Sequence, residues 1–322
     1  MNAAMEQRLA LFIQNRDVIK RALPWENAMT HALCAMLDTI RDRGSDPDGI
    51  KRAKRELKKQ TGAFSPLRGY PLPPLCTLAT QRADAEGFLA EVTQTYRSYR
   101  NAGFPSSYYV AIAAFTALSL PDPIEPADAF ALYRELRRTH SFLASQEDAI
   151  SAVLLLSLGQ RDSARCEEIY AIVQPGIGQR FGCWQLSKCL AMSDEPASAV
   201  ADRAVALYEA LKERGIRTGK GRELTALAMP VISGGDIEAA ADRIAAVDAF
   251  LAGNRGFSGW SMTKPLRTMF SSSLASLPLP DAQDTSMQAA TVTVTVTAAL
   301  IAATTAAIAA AASASAAASS SG

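Results

Sequence analysis

Four polar side chains lie at helical spacing just after Trp25. They are Asn27, His31, Cys34 and Asp38, and their steps of 4, 3 and 4 place them on one face of a helix. An imidazole and a thiol are ligands that Zn²⁺ prefers, and a low-pKa thiol is also a nucleophile. His31 and Cys34 are therefore candidate metal ligands. The alternative is a helix packed on both faces, with the histidine held by a hydrogen bond.

A second group of candidates lies in THSFLASQED, residues 139–148. It holds the only other histidine, His140, and two carboxylates, Glu147 and Asp148, at a predicted helix start. An imidazole beside a carboxylate could act as a general acid–base pair, so these three are candidate catalytic residues. Carboxylates also suit a helix N-terminus, and a histidine suits a C-terminus, for structural reasons alone. The enzymatic alternative requires His31 and His140 to come within about 8 Å of each other.

Two basic segments raise the question of phosphate binding. One predicted helix carries Lys51, Arg52, Lys54, Arg55, Lys58 and Lys59, with only Glu56 among them. Acids upstream neutralise part of this cluster and no base-reading motif accompanies it, so we interpret it as a solvated face and expect no nucleic acid partner. GIRTGKGREL, residues 215–224, lacks the spacing of a phosphate-binding loop, and we interpret it as a turn between helices.

The elements that position these residues are predicted to be helices. An N-terminal unit of three helices is expected over residues 1–62. Apolar residues recur at helical spacing up to Pro24 and again from Trp25 to Ile40, and a third helix is predicted from Pro47 to Gln60. Residues 63–80 contain FSPLRGYPLPPL, which is too rich in proline for a regular element, so this stretch is predicted to be a connector.

Residues 81–284 repeat one pattern: an amphipathic helix with tyrosine and leucine, a turn with an apolar anchor, and a more apolar helix. The anchors are Phe104, Phe142, Phe181, Ile216 and Phe257, which are separated by 38, 39, 35 and 41 residues. Such a period predicts stacked helical hairpins. The predicted fold is therefore all-α, an irregular solenoid-like array that follows the three-helix unit.

The C-terminal segment has no charge from Thr285 to Gly322 and consists mainly of small side chains. Residues 285–312 are predicted to form a long Ala-rich helix, packed in the core or in a homodimer interface, because small residues allow helices to approach closely. The less favoured alternative is a membrane anchor over residues 289–312. Residues 313–322 are predicted to fray.

Composition excludes several classes of protein. The 33 basic and 32 acidic residues give a net charge of +1, which supplies no global field for nucleic acid or an anionic membrane. The five cysteines form no C-x-x-C pair, so neither a disulfide framework nor a zinc ribbon is indicated. No cofactor motif is present, and we expect a cytoplasmic protein without a cofactor.

Several strings together resemble a known family. They are FIQNRDVIK, WENAMTHALCAM, IKRAKRELKKQTGAFSPLRG, THSFLASQED, LYEALKERGIRTGKGRELTALAM and VDAFLAGNRGFSGW, with the Ala- and Ser-rich ending. The chain is similar over essentially its whole length to the bacterial "domain of unknown function" family numbered four thousand and three. The resemblance implies a cytosolic, mostly helical bacterial protein, and it carries over no catalytic or binding residue.

The function predicted from these features is that of a protein- or peptide-binding scaffold. A curved helical array offers a concave surface, and tyrosines on the first helices could line it. They are Tyr96, Tyr99, Tyr133, Tyr170 and Tyr208. The same tyrosines could equally be core residues. An enzyme or metal protein that uses His31, Cys34, His140, Glu147 and Asp148 is the alternative function, and a membrane-anchored protein is the second.

Overall fold

The computed structural model describes residues 2–68, 72–120, 122–258 and 262–277 of the 322-residue chain. The fold is all-α: these residues form 14 α-helices and three short 3-10 helices, and they contain no strand. The predicted Ala-rich helix over residues 285–312 and the tail 313–322 lie outside the described residues. Among the helices that are described, none has the length and apolarity needed to cross a membrane.

The chain divides into two compact units. One contains Ala10–Arg161, and the other contains residues 162–277 together with residues 2–9. The helices up to residue 161 are α1 Ala3–Ala22, α2 Ala28–Thr39, α3 Pro47–Gln60, α4 Leu72–Ala79, α5 Ala85–Ala102, α6 Tyr108–Ser119, α7 Pro126–Thr139 and α8 Asp148–Ser157. Those that follow are α9 Ala164–Ile177, α10 Arg180–Leu190, α11 Ala197–Glu213, α12 Ala228–Ile232, α13 Ile237–Gly253 and α14 Lys264–Ser276.

Several helices begin at an aspartate whose side chain accepts a hydrogen bond from the amide three residues later. Asp46 does so for α3 and Asp84 for α5, each at 2.8 Å, and Asp236 does so for α13 at 2.7 Å. Each carboxylate satisfies an amide that has no partner within its helix and also complements the helix dipole. Helix α3 spans the residues that the sequence predicts, Pro47–Gln60.

Within Ala10–Arg161, consecutive helices pair as α3 with α4, α5 with α6, and α7 with α8. The first helices of these hairpins pack side by side in the order α3, α5, α7, and α6 packs against α8. The second helices are apolar nearly all round: α6 is buried from Tyr109 to Ala117. This arrangement places α6 and α8 in the interior and leaves the outer face of α7 exposed to solvent.

The second unit repeats this order. Helix α9 pairs with α10 and α13 with α14, and the first helices pack in the order α9, α11, α13. Helix α11 is followed by the 3-10 helix Arg222–Leu227 and by α12, both of which pack against α10 and α14. The prediction of stacked helical hairpins is confirmed. At its core Arg267 and Asp248, both buried, form two hydrogen bonds of 2.9 and 2.8 Å that join α14 to α13.

Local features of the array differ from the prediction in three places. Leu72–Ala79, within the predicted connector, is helical because Pro73 and Pro74 fall in its first turn, where a missing amide hydrogen breaks no helical bond. Phe142 was expected to be a buried anchor but is 99% exposed, because the chain after α7 turns through a short 3-10 helix. Trp25 is 97% exposed, because it lies before the start of α2.

Candidate functional site

The candidate ligands His31 and Cys34 lie on α2, which is buried from Met29 to Thr39. Nε2 of His31 is 2.8 Å from the carbonyl oxygen of Leu23, so this nitrogen carries the proton and donates. Burial is the main cause that lowers the pKa of His31, and it raises the pKa of the Cys34 thiol above its usual range. Across the described ranges, no three His, Cys, Asp or Glu side chains gather in a way that could hold a metal ion.

Asp38, on the same face of α2, joins the helix to its surroundings. Its carboxylate accepts hydrogen bonds from the Ser45 hydroxyl at 2.7 Å and from the Gln81 side-chain amide at 3.2 Å. Burial is the main cause that raises the pKa of Asp38, while the two hydrogen bonds favour its charged form. These contacts match the alternative of a helix packed on both faces.

The three candidate catalytic residues lie between α7 and α8. His140 ends α7 and is partly exposed, whereas Glu147 and Asp148 are buried at the start of α8. The Asp148 carboxylate accepts a hydrogen bond from the amide of Ser145 at 2.9 Å, and the Ser145 hydroxyl accepts one from the amide of Glu147 at 3.1 Å. These two hydrogen bonds tie the turn at Ser145 to the start of α8, which gives Asp148 a structural role. A catalytic role for the three stays a prediction.

The two groups of candidates lie on helices with different neighbours. Helix α2 packs mainly against α4, whereas α8 packs against α6 and α7. The main contacts of the described helices therefore do not place His31 and His140 in one pocket.

The basic helix α3 is largely neutralised by nearby carboxylates. Lys54 lies 2.9 Å from Glu26, and Lys59 lies 3.0 Å from Glu56. Lys51 and Arg52 make longer ion pairs, of 3.6 and 3.5 Å, with acids at the start of the same helix. These pairs support the interpretation of α3 as a solvated face.

The predicted tyrosines divide into two groups. Tyr96, Tyr99 and Tyr133 are buried, with Tyr99 fully so, whereas Tyr170 and Tyr208 are half-buried. The first three therefore serve mainly as core residues.

A groove of about 960 Å³ runs along α7 in the unit Ala10–Arg161. Its floor is aromatic: the Phe104 ring lies 5.1 Å from that of Phe130 and 5.0 Å from that of Tyr133, measured between ring centres. Tyr99 stacks on Phe104 from below at 5.3 Å. Tilted and edge-on contacts at these distances are favourable, so the floor is a packed platform on which Phe130 is half-buried.

The walls of this groove are basic. Four arginines line it, and Glu135 is the only acid among its lining residues; the arginines are Arg100, Arg134, Arg137 and Arg138. Arg137 donates to the Ser145 carbonyl at 3.1 Å and lies 5.3 Å over the Tyr133 ring, so it is held in place. Arg134 and Arg138 are exposed and form no ion pair within the described part of the chain. Two guanidinium groups are thus available to a ligand.

Gly103 allows the floor to approach the end of α5. Its φ of +112° is a left-handed conformation that side chains rarely adopt, and a Cβ placed there would lie 2.7 Å from Cζ of Phe130. The glycine therefore ends α5 and leaves space for the Phe130 ring.

The groove residues Phe130, Arg134 and Arg138 were not among the predicted site residues. Their spacing of four residues places them on one face of a helix, and this pattern is visible in the sequence. Its significance depends on Arg100, Gly103 and Phe104, which the neighbouring hairpin supplies.

Comparison with known proteins places the chain in a family. The family model described as "Protein of unknown function (DUF4003)" matches residues 15–306. The chain belongs to this family. Neither a curated protein nor a solved structure matches it.

Proposed function

We propose that this DUF4003 protein is a peptide-binding scaffold that recognises an acidic segment of a partner protein through the groove on α7. The observation that supports the proposal is an aromatic floor beside two exposed arginines, Arg134 and Arg138, that form no ion pair within the described residues. A guanidinium group binds a carboxylate through two parallel hydrogen bonds, and this geometry favours Asp and Glu side chains. The half-buried Phe130 ring lies one turn before Arg134 and offers a surface for an apolar side chain at one end of the site.

The dimensions of the groove suit a short extended peptide. From Phe130 to Arg138 the helix rises about 12 Å, which about four residues of extended chain would span. A segment in which two acidic residues lie on the same side of one leucine or phenylalanine therefore matches the groove. A nucleic acid strand would need further phosphate contacts along its length, whereas the basic residues of α3 are mostly paired.

Fluorescence anisotropy with labelled peptides tests the proposal on the full chain. The probes are peptides in which two Glu residues lie on the same side of one leucine or phenylalanine, together with the same peptides in which Gln replaces each Glu. We expect the acidic peptides to bind more tightly, and their affinity to fall with added salt. Arg134→Glu with Arg138→Glu should weaken binding more than tenfold, because charge-assisted hydrogen bonds are replaced by repulsion.

Arg55→Glu with Arg97→Glu is the matched control. Both residues are exposed arginines of the same unit, neither lines the groove, and the change in net charge is the same. The proposal fails if the Gln peptides bind as well as the Glu peptides, or if the control variant loses as much affinity as the groove variant. Tighter binding of a labelled single-stranded oligonucleotide than of every acidic peptide would also contradict it.

A further inference from the structure

A second groove, of about 700 Å³, surrounds the loop Arg217–Gly221 in the unit that contains residues 162–277. Tyr208 of α11 and Pro265 of α14 form part of its wall. We propose that this groove binds a small phosphorylated molecule, with its phosphate on the loop. The site is separate from the groove on α7, and it does not rest on the proposed function.

The loop presents hydrogen-bond donors that the protein itself does not use. The amides of residues 217–220 donate no hydrogen bond to any acceptor within the described residues. Thr218 is only 5% exposed and lines the groove, yet its hydroxyl has no hydrogen-bond partner there either. Successive amides together with a hydroxyl form the kind of concavity that binds an anion with several oxygens.

Charge in this groove also favours an anion. Arg217 and Lys220 are exposed, and neither forms an ion pair within the part of the chain that the structure describes. Lys212 is already paired, with its Nζ 2.8 Å from a carboxylate oxygen of Glu209. Two cations therefore remain for a ligand, which matches the charge of a phosphate monoester near neutral pH.

The loop is held in shape by close packing around glycines. Gly219 has a φ of +82°, and a Cβ there would lie 2.9 Å from Cβ of Glu223 and 3.1 Å from Cβ of Pro265. A Cβ on Gly182, in the first turn of α10, would lie 2.6 Å from the carbonyl oxygen of Gly221. Because the loop lies this close to α10 and α14, its amides are positioned before a ligand arrives, which lowers the entropic cost of binding.

The remaining lining residues indicate what the phosphate is attached to. The single carboxylate, Glu223, accepts a hydrogen bond from the amide of Gly221 at 3.2 Å. Its other oxygen can accept hydrogen bonds from ligand hydroxyls. Tyr208, Ile216 and Pro265 provide an apolar wall for a ring. A sugar phosphate combines these features: an anion, hydroxyls and a compact body.

Isothermal titration calorimetry on the full chain tests this site with ribose 5-phosphate, ribose and inorganic phosphate. We expect ribose 5-phosphate to bind and ribose not to bind. Thr218→Val removes only the hydroxyl and should weaken binding about tenfold, as expected for loss of a hydrogen bond to a charged group. Arg217→Ala with Lys220→Ala should weaken it further. Inorganic phosphate that binds as tightly as the ester would identify free phosphate as the ligand of the same site.

The variant Arg134→Glu with Arg138→Glu should leave ribose 5-phosphate binding unchanged, since it alters only the groove on α7. The thermal midpoints of the loop variants should stay close to that of the wild type, because valine keeps the size and shape of the buried Thr218 side chain and because Arg217 and Lys220 are exposed. The inference is wrong if neither phosphate compound binds, or if binding persists at full strength in both loop variants.

Discussion

The imidazole of His31 lies at the end of α1, where it donates a hydrogen bond to the carbonyl of Leu23. This contact needs only the neutral ring, and burial lowers the pKa of the residue. The same burial keeps the neighbouring Cys34 protonated. His31 and Cys34 have the spacing of metal ligands, but on α2 they stabilise the packing of the helix.

The lowered pKa of His31 predicts a pH dependence of stability. Below about pH 6.5 the unfolded chain binds a proton at this histidine that the folded chain does not bind, so stability falls as the pH falls. The loss can reach about 1.4 kcal/mol per pH unit until the folded pKa is passed. Urea unfolding at about pH 7.5 and about pH 5.5 measures it.

His31→Gln is the matched variant, because its side-chain amide can still donate to the Leu23 carbonyl but does not titrate. Its free energy of unfolding should change less between the two pH values than that of the wild type. Asp38 has a raised pKa, so its own contribution has the opposite sign, and both chains share it. Equal pH dependence in the two chains would contradict the assignment to His31.

Residue spacing could predict which side chains share a helix face, and it placed His31, Cys34 and Asp38 correctly together on α2, whereas Asn27 caps the start of this helix. It could not predict what covers that face. The carbonyl of Leu23 and the amide of Gln81 come from segments outside the helix, and tertiary packing alone brings them there. The same limit applies to Phe130, whose position over Gly103 depends on the neighbouring hairpin.

At the scale of elements, one arginine fixes the turn between α10 and α11. Arg165 of α9 donates to the carbonyl oxygens of Ala191 at 3.3 Å and Ser193 at 2.6 Å, and also to that of Glu195. The planar guanidinium group reaches all three, because its donors point in fixed directions. The carboxylate of Glu195 in turn accepts a hydrogen bond from Arg203 of α11 at 2.7 Å.

Arg165→Lys is therefore predicted to lower stability although the charge is kept. A lysine ammonium group cannot reach three carbonyls at once, so at least one loses its partner, at a cost of about 1–3 kcal/mol. Chemical denaturation measures the change. Arg180→Lys is the control: it is exposed on α10 in the same unit, and we expect a change within about 0.5 kcal/mol. Equal effects of the two substitutions would show that the turn does not depend on Arg165.

Helix boundaries were predictable where a cap or a proline marks them, as for α3 with Asp46 and Pro47. They were not predictable where one residue type is common both in loops and in the first turn of a helix. Pro73 and Pro74 are typical of a loop but are equally compatible with a first helical turn, which is where they lie in α4. Phe142 was predicted to be an apolar anchor from its spacing alone, and spacing does not show whether a residue in a turn packs against the core.

At the scale of the molecule, the repeat period of the sequence predicted the stacked array because each hairpin buries one apolar face against the next. The two grooves could not be predicted in this way. Each is built where a turn meets the helix of a neighbouring hairpin, so its residues are distant in sequence: Arg100 with Arg138, and Tyr208 with Pro265. The repeated hairpins form the scaffold, and the turns that differ between hairpins form the two grooves.

The burial of the cysteines follows from the same packing of helices. All five thiols are buried, and burial raises the pKa of Cys76 and of Cys166 to about 12. A thiol must be both accessible and ionised to react with an alkylating agent. Native chain treated with iodoacetamide near neutral pH should therefore show no labelled cysteine by mass spectrometry, whereas urea-unfolded chain should show five.

Ala252→Cys places a thiol on the exposed face of α13 and serves as the positive control. It should add one rapidly labelled site to the native chain without changing the protection of the others. As the urea concentration is raised, Cys34 and Cys76 should become labelled together. Both thiols lie in one core, so each becomes accessible when the unit that buries it unfolds. Labelling of a natural cysteine in the native chain at the rate of the Ala252→Cys thiol would mean that this core opens locally, and that the stacked hairpins around it do not act as one cooperative unit.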